Sequence, residues 1–229
     1  MRRHFTPCQA DCGKRSKDAA ASLLRLAIIL FVVAGICVPV RAGESPRFIG
    51  HVTVEWLDDP FVPKIKLLAD FGFADGSGRI WLARNGHTLD EGALPPVART
   101  VIGSPLAGEF RRAYVVYEYY THIRTEPWPA VHRMLFNSSR VEGMEEIDAK
   151  ILYAVAYAAG SRWEIKESSL CFSSCHKAAA ELSWRPAVSD ADLRQWADWA
   201  RRTNPTLDEI DEFLNAAIKR PGPHLFVQR

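Results

Sequence analysis

The sequence is poor in cysteine where an exported domain would use it. Of five cysteines in 229 residues, Cys8, Cys12 and Cys37 fall within the first 42 positions, and only Cys171 and Cys175 lie beyond them. A disulfide-dense scaffold is excluded. There is also no uninterrupted apolar run of ~20 residues, the length a spanning helix needs. The longest, LAIILFVVAGICVPV, covers 26–40. Excess positive charge is missing from the bulk of the chain. Residues 1–42 carry seven basic side chains against two acidic, which leaves 22 basic against 25 acidic in the remainder. That balance gives no basic patch to neutralise phosphates, so nucleic acid is set aside as a partner. No P-loop, dinucleotide fingerprint, nucleophile elbow or zinc-type cysteine array occurs, nor any internal repeat or long low-complexity tract.

What is present begins with a targeting pattern. Arg2, Arg3, Lys14, Arg15, Lys17 and Arg25 precede the apolar run, and Val40, Arg41 and Ala42 follow it with small residues at the spacing an export peptidase cuts. The expectation is an exported protein of the periplasm or of the inner membrane facing it, cut after Ala42. The alternatives are an uncleaved transmembrane helix, giving membrane contact through the N-terminal segment, and a buried core helix. In an oxidising compartment Cys171 and Cys175 form one disulfide or remain two thiols. CFSSCH (171–176) is also a stretched version of a haem-attachment pattern, and Cys171, Cys175 and His176 supply three metal-compatible side chains.

The pattern of the folded part predicts an α+β fold: a small antiparallel sheet, a three-helix segment and a helical C-terminal extension. FIGHVTVEWL (48–57) alternates as a half-buried strand, 64–68 reads as a second, and Asp75, Gly76 and Gly78 form the turn of a hairpin. Leu89 to Glu109 is rich in Gly and Pro without a period and reads as a loop over the sheet edge. Helices are expected over 110–123, 127–141, 145–159, 189–202 and 206–219, the last two opened by the capping boxes Ser189/Asp192 and Thr206/Glu209. The domain reading is 1–42 signal or anchor, 47–165 the main domain and 166–229 a cysteine loop with a two-helix extension.

One segment concentrates the chemistry. YVVYEYYTHIR (114–124) carries four phenols, a carboxylate and an imidazole on a helix-length stretch. Tyr114, Tyr117 and Phe110 share an apolar face and read as core. Glu118 and His122 are spaced i, i+4 and so fall on one helix face. His132 on the next helix and Asp90 on the preceding loop complete an Asp/Glu/His/His set with zinc-compatible ligand types, of which Glu118, His122 and His132 are the candidate metal ligands. The bland alternative is a solvated Glu-His pair. His51, His87 and His176 are isolated in sequence and read as ordinary surface or core groups.

LDEGALPPVARTVIGSPLAGEFRRAYVVYEYYTHIR, followed by WPAVHRMLF and AKILYAVAYAAGSRW, resembles the domain of unknown function 1353 family of phage and bacterial proteins over residues 50–163. The family pattern places Asp-Gly-Ala-Ser-Ile/Val-Pro on the loop, a His-Asp pair on the following helix and an acidic residue before a Phe on the next. By position these fall on Asp90 to Pro95, on Tyr117-Glu118, and near His132 before Phe136. Ala93 lacks the hydroxyl, and tyrosine at 117 has an unperturbed pKa near ~10, too high for a base at neutral pH. The resemblance therefore implies a degenerate site. The leading expectation is a cell-envelope binding or structural module with an unspecified protein or envelope partner and no cofactor predicted. The alternative is a metal-assisted hydrolase of envelope lipid or peptidoglycan using Asp90, Tyr117, Glu118, His122 and His132. A haem or redox protein using Cys171, Cys175 and His176 comes third.

Overall fold

The computed structural model describes residues 45–59, 63–165 and 182–218. The chain divides into two compact units, 1–42 and 43–229, and all described residues belong to the second.

The fold is α+β. Strands β1 (Arg47–Ile49), β4 (Phe71–Ala74) and β5 (Ile80–Ala83) form one antiparallel sheet in the order β1-β4-β5. A second antiparallel sheet is formed by β2 (Val54–Leu57), β3 (Lys64–Leu67) and β6 (Thr88–Leu89), in the order β2-β3-β6. The alternation over 48–57 predicts one strand, yet the chain splits it between the two sheets. Gly50 makes the break: its φ is +79°, and a Cβ there would lie 3.1 Å from the Asp70 carbonyl oxygen. A side chain is disfavoured at that backbone angle. The β4–β5 hairpin forms where the turn residues predict it. Asp75 closes it, its Oδ1 accepting from the Ser77 and Arg79 amides and its Oδ2 from Trp81 Nε1.

Six helices follow among the described residues: α1 (Pro96–Ile102), α2 (Arg111–Ile123), α3 (Trp128–Glu142), α4 (Glu146–Ala159), α5 (Asp190–Thr203) and α6 (Leu207–Ala217). The segment read as a periodless loop thus contains α1, with a proline in its first turn and Gly103 closing it. Its register was hidden because Ala98 is its one buried residue and carries little hydrophobic signal. Both predicted capping boxes are present, with Ser189 accepting from the Asp192 amide and Thr206 from the Glu209 amide. A two-stranded ribbon, β7 (Arg162–Glu164) with β8 (Leu182–Trp184), precedes α5.

The core lies where α2 meets the sheets on one side and α3 on the other, and α4 is buried from Ala149 to its end at Ala159 behind α3. The segment expected as an extension packs into the same unit. Tyr153 and Tyr157 of α4 donate to Asp211 Oδ1 at 2.5 Å and to Asn215 Oδ1 at 3.0 Å of α6. Arg133 of α3 reaches Asp208 and Asp211 of α6 at 2.5 and 2.6 Å, and Lys150 of α4 donates to Asn204 at the end of α5.

The expectation of a transmembrane helix is corrected. Among the described residues no helix is long and apolar enough to cross a membrane. The apolar run at 26–40 lies outside the described residues, as do Cys171, Cys175 and His176.

Candidate functional site

Four of the five sequence-nominated residues fall into two separate groups, divided by helix α2, and Asp90 stays in its own loop. Glu118 and His122 face the β3–β6 side. His132 and Tyr117 face α4.

On the first side the partner of Glu118 is His87, a residue the spacing argument passed over. His87 Nε2 and Glu118 Oε2 share a hydrogen bond of 2.8 Å. The imidazole is pinned from its backbone: the Leu67 amide donates to the His87 carbonyl and the Gly86 amide to the Leu67 carbonyl, both at 2.8 Å. Asp70 holds the preceding turn through the Asn85 amide and Arg84 Nη1. His122 and Tyr119 stand edge-on to the His87 ring, with centroids at 5.0 and 4.9 Å. Glu118 and His122 therefore share a face, as their spacing requires, but converge on a third residue. Burial of Glu118, which is 6% exposed, pushes its carboxyl above the usual range. The bond and charge of His87 oppose that shift, Asp90 adds to it and His122 opposes it.

Asp90 is occupied within its own loop. Its Oδ1 accepts from the Gly92 amide at 2.6 Å, and its carbonyl accepts from Tyr114 Oη at 2.9 Å. The neighbouring Glu91 takes hydrogen bonds from Arg99 and Ser104, tying the loop to α1. Arg185, just after β8, covers the loop: its Nη2 donates to the Gly92 carbonyl at 2.5 Å and its Nε to Ser161 Oγ at 2.9 Å.

On the second side Tyr117 and His132 are both fully buried, with ring centroids 5.5 Å apart. Neither the Tyr117 hydroxyl nor either ring nitrogen of His132 has a hydrogen-bond partner. They meet over Gly160, where a Cβ would lie 2.9 Å from both Tyr117 Oη and His132 Cε1, and 2.3 Å from the Ala156 carbonyl oxygen. Burial, with a smaller push from the Arg162 charge, drives the His132 pKa down to about 3. Its imidazole is neutral across the physiological range. Burial likewise pushes the Tyr117 phenol up.

The metal set Glu118, His122 and His132 is not assembled. His132 sits among Tyr117, Trp128 and Tyr157, and Glu118 pairs with His87. Among the described residues no group of three or more His, Cys, Asp or Glu side chains is placed to hold a metal ion. What the arrangement can do chemically is narrower. A buried carboxylate orients an imidazole at His87, and a neutral Tyr-His pair offers unmatched polar atoms to the interior.

The molecule is thus an α+β protein of two three-stranded sheets and six described helices, with a Glu-His pair on one face of its central helix and a sealed Tyr-His pair on the other. Two uncharacterized proteins of Sinorhizobium fredii are similar to it. Protein y4iH is 34% identical over 110 residues, which is 47% of this chain and 45% of the relative. Protein y4jT is 25% identical over 131 residues, 56% of this chain and 39% of the relative. The chain spans less than half the length of these curated relatives. No family model and no solved structure matches it.

Proposed function

We propose that this chain is an exported binding module of the cell envelope, in which the acid/base positions of the family it resembles have become core. The observation that carries the reading is the state of Tyr117 and His132. Tyr117 falls at the histidine of the family pattern and His132 near its later acidic position, and both are fully buried. A catalytic base must reach a substrate proton within hydrogen-bond distance, and a fully buried tyrosine held protonated does not. Arg185 supports the same reading, because it closes the loop that carries the degenerate motif by bonding to Gly92 and Ser161. Export rests on the basic segment and apolar run at the N-terminus.

A second reading, a hydrolase of envelope lipid or peptidoglycan, is favoured by one observation: His87 is oriented by buried Glu118 at 2.8 Å, as a general base requires. One experiment separates the two. The purified full chain is incubated with isolated peptidoglycan sacculi and with phospholipid vesicles. A binding module co-sediments and releases no soluble product. Release of sugar-peptide fragments or fatty acid, abolished in His87→Asn, would establish the hydrolase instead, and failure to sediment with either material would overturn the binding module.

A further inference from the structure

Trp199 of α5 and Phe213 of α6 stack where the last two helices meet, with ring centroids 4.2 Å apart and planes 16° from parallel. Phe213 is 36% exposed. The two rings line an open groove of about 380 Å³ together with Thr203, Pro205, Glu209 and Glu212. Helical period puts them there: Trp199 and Thr203 are spaced i, i+4 on α5, and Glu209, Glu212 and Phe213 are spaced i, i+3, i+4 on α6, so each set shares one face.

The groove is an aromatic surface edged by carboxylates, and no basic side chain lines it. Glu209 engages only its Oε2, which accepts from the Thr206 amide at 2.7 Å and the Thr206 hydroxyl at 2.9 Å; these bonds hold its carboxyl below the usual range. Glu212 is exposed and makes no hydrogen bond or ion pair among the described residues. The cations of the neighbouring helices are engaged elsewhere, Arg133 with Asp208 and Asp211, Lys150 with Glu146, and Arg201 with Asp198.

Elsewhere in the molecule the same kind of corner is filled by arginine. Arg79 lies over the Trp81 ring at 3.9 Å and pairs with Glu126. Arg112 lies over the Phe48 ring at 4.5 Å and pairs with Glu142 at 3.3 Å. In both, one guanidinium stacks on a ring while its edge meets a carboxylate. Arg162 also lies over rings, those of Trp128, Tyr157 and Trp184. No guanidinium of the described residues lies over Trp199 or Phe213. The α5–α6 corner thus has the ring and the carboxylate without the arginine.

We propose that this groove docks an arginine side chain of a partner protein, its guanidinium stacked on the Trp199–Phe213 surface and its N–H edge donating to Glu212 and Glu209. A planar guanidinium stacks on an aromatic face and donates a fork of hydrogen bonds to carboxylate, whereas a lysine ammonium is a compact, strongly hydrated charge. A quaternary ammonium is held by rings that form a cage around it. These two rings are nearly parallel, and such a cation has no N–H to offer the glutamates. The inference goes beyond the binding reading above and needs neither export nor an envelope ligand.

The test is a titration of the full-length, nitrogen-15-labelled chain with a blocked Gly-Arg-Gly-Arg-Gly peptide, followed at the Trp199 indole N–H. The expected result is a saturable shift of that resonance and of the Glu212 and Phe213 amides. The lysine counterpart of the peptide is expected to bind roughly threefold more weakly or worse, and the uncharged citrulline counterpart to leave the resonances unmoved. Phe213→Ala and Glu212→Gln are each expected to weaken the arginine peptide severalfold. Equal binding of the lysine peptide or of tetramethylammonium, an unmoved Trp199 resonance, or wild-type affinity in Glu212→Gln would each overturn the proposal. Glu212→Gln alters one exposed side chain, so it decides the matter even if Phe213→Ala does not fold. Peptide titration and sedimentation with envelope material are separate measurements, and failure of one proposal leaves the other standing.

Discussion

His87 is held by Glu118 at 2.8 Å across the junction between the β3–β6 edge and helix α2, and 31 residues of chain separate them. The pair joins a turn residue to a helix residue whose carboxylate is almost wholly removed from water. Its energetics follow from the Glu118 side: burial raises the carboxyl and the imidazole only partly offsets it.

That raised carboxyl sets a pH dependence. The folded state holds the Glu118 proton more tightly than the unfolded chain, so stability falls as pH rises from the unfolded value of ~4.3 through the higher folded value, and the loss is complete above it. Glu118→Gln has no such loss. Its stability relative to wild type is expected to improve between pH 4.5 and 7.5, read by urea denaturation at both. A constant difference across that range would contradict a raised carboxyl.

The two core tyrosines of α2 are expected to respond in opposite ways. Tyr114 donates to the Asp90 carbonyl, so Tyr114→Phe removes a hydrogen bond and leaves the carbonyl unpaired, a loss of ~1 kcal/mol or more. The Tyr117 hydroxyl is unpartnered, and Tyr117→Phe relieves a buried orphan, leaving the chain unchanged or stabilised by ~1 kcal/mol. Denaturant midpoints of the two variants measured together decide it.

Gly160 is irreplaceable by approach rather than by backbone angle, since its φ is −71°. Alanine there would bring a Cβ to 2.3 Å of the Ala156 carbonyl oxygen and 2.9 Å of His132 and Tyr117. Gly160→Ala is expected to destabilise by ~3 kcal/mol, at the upper end of overpacking effects, seen as a lowered melting temperature. A neutral result would mean that the end of α4 moves freely.

Asp211 is the junction of the C-terminal helices with the rest, accepting from Arg133 and from Tyr153. Asp211→Ala leaves a largely buried phenol and a guanidinium without that acceptor. A loss of ~2 kcal/mol is expected, in the range for hydrogen bonds to charged groups, with faster amide exchange in α6 than in α2.

Arg185→Ala removes the bonds from the ribbon to the Gly92 carbonyl and to Ser161. Amide exchange over residues 90–94 is expected to accelerate while that of α4 stays unchanged. Equal protection in both forms would show that Asp90 and Glu91 hold the loop without help.

The helices were legible because their signals are local. Apolar spacing marks α2, α3 and α4, and the serine and threonine caps mark α5 and α6 to within a residue or two. Helix α1 was missed because its single buried residue is an alanine, and the first strand was read as one because nothing in its alternation shows that Gly50 turns the chain between sheets. The site was half legible. Spacing put Glu118 and His122 on one face, yet their meeting point, His87, is a lone histidine after an Asn-Gly turn, with no periodic signal.

From its sequence alone, this chain is α+β, with a polar-aromatic central helix that carries tyrosine and glutamate at 117 and 118. Those features depend on propensity, period and residue chemistry within a few positions of one another. Only the tertiary structure decided that Glu118 turns toward His87 while His132 turns toward Tyr117, and that Arg162 lies under three aromatic rings. Which side chains meet across 15 or 31 residues is set by how α2 packs between sheet and helix, and packing of that kind leaves no repeating mark in the sequence.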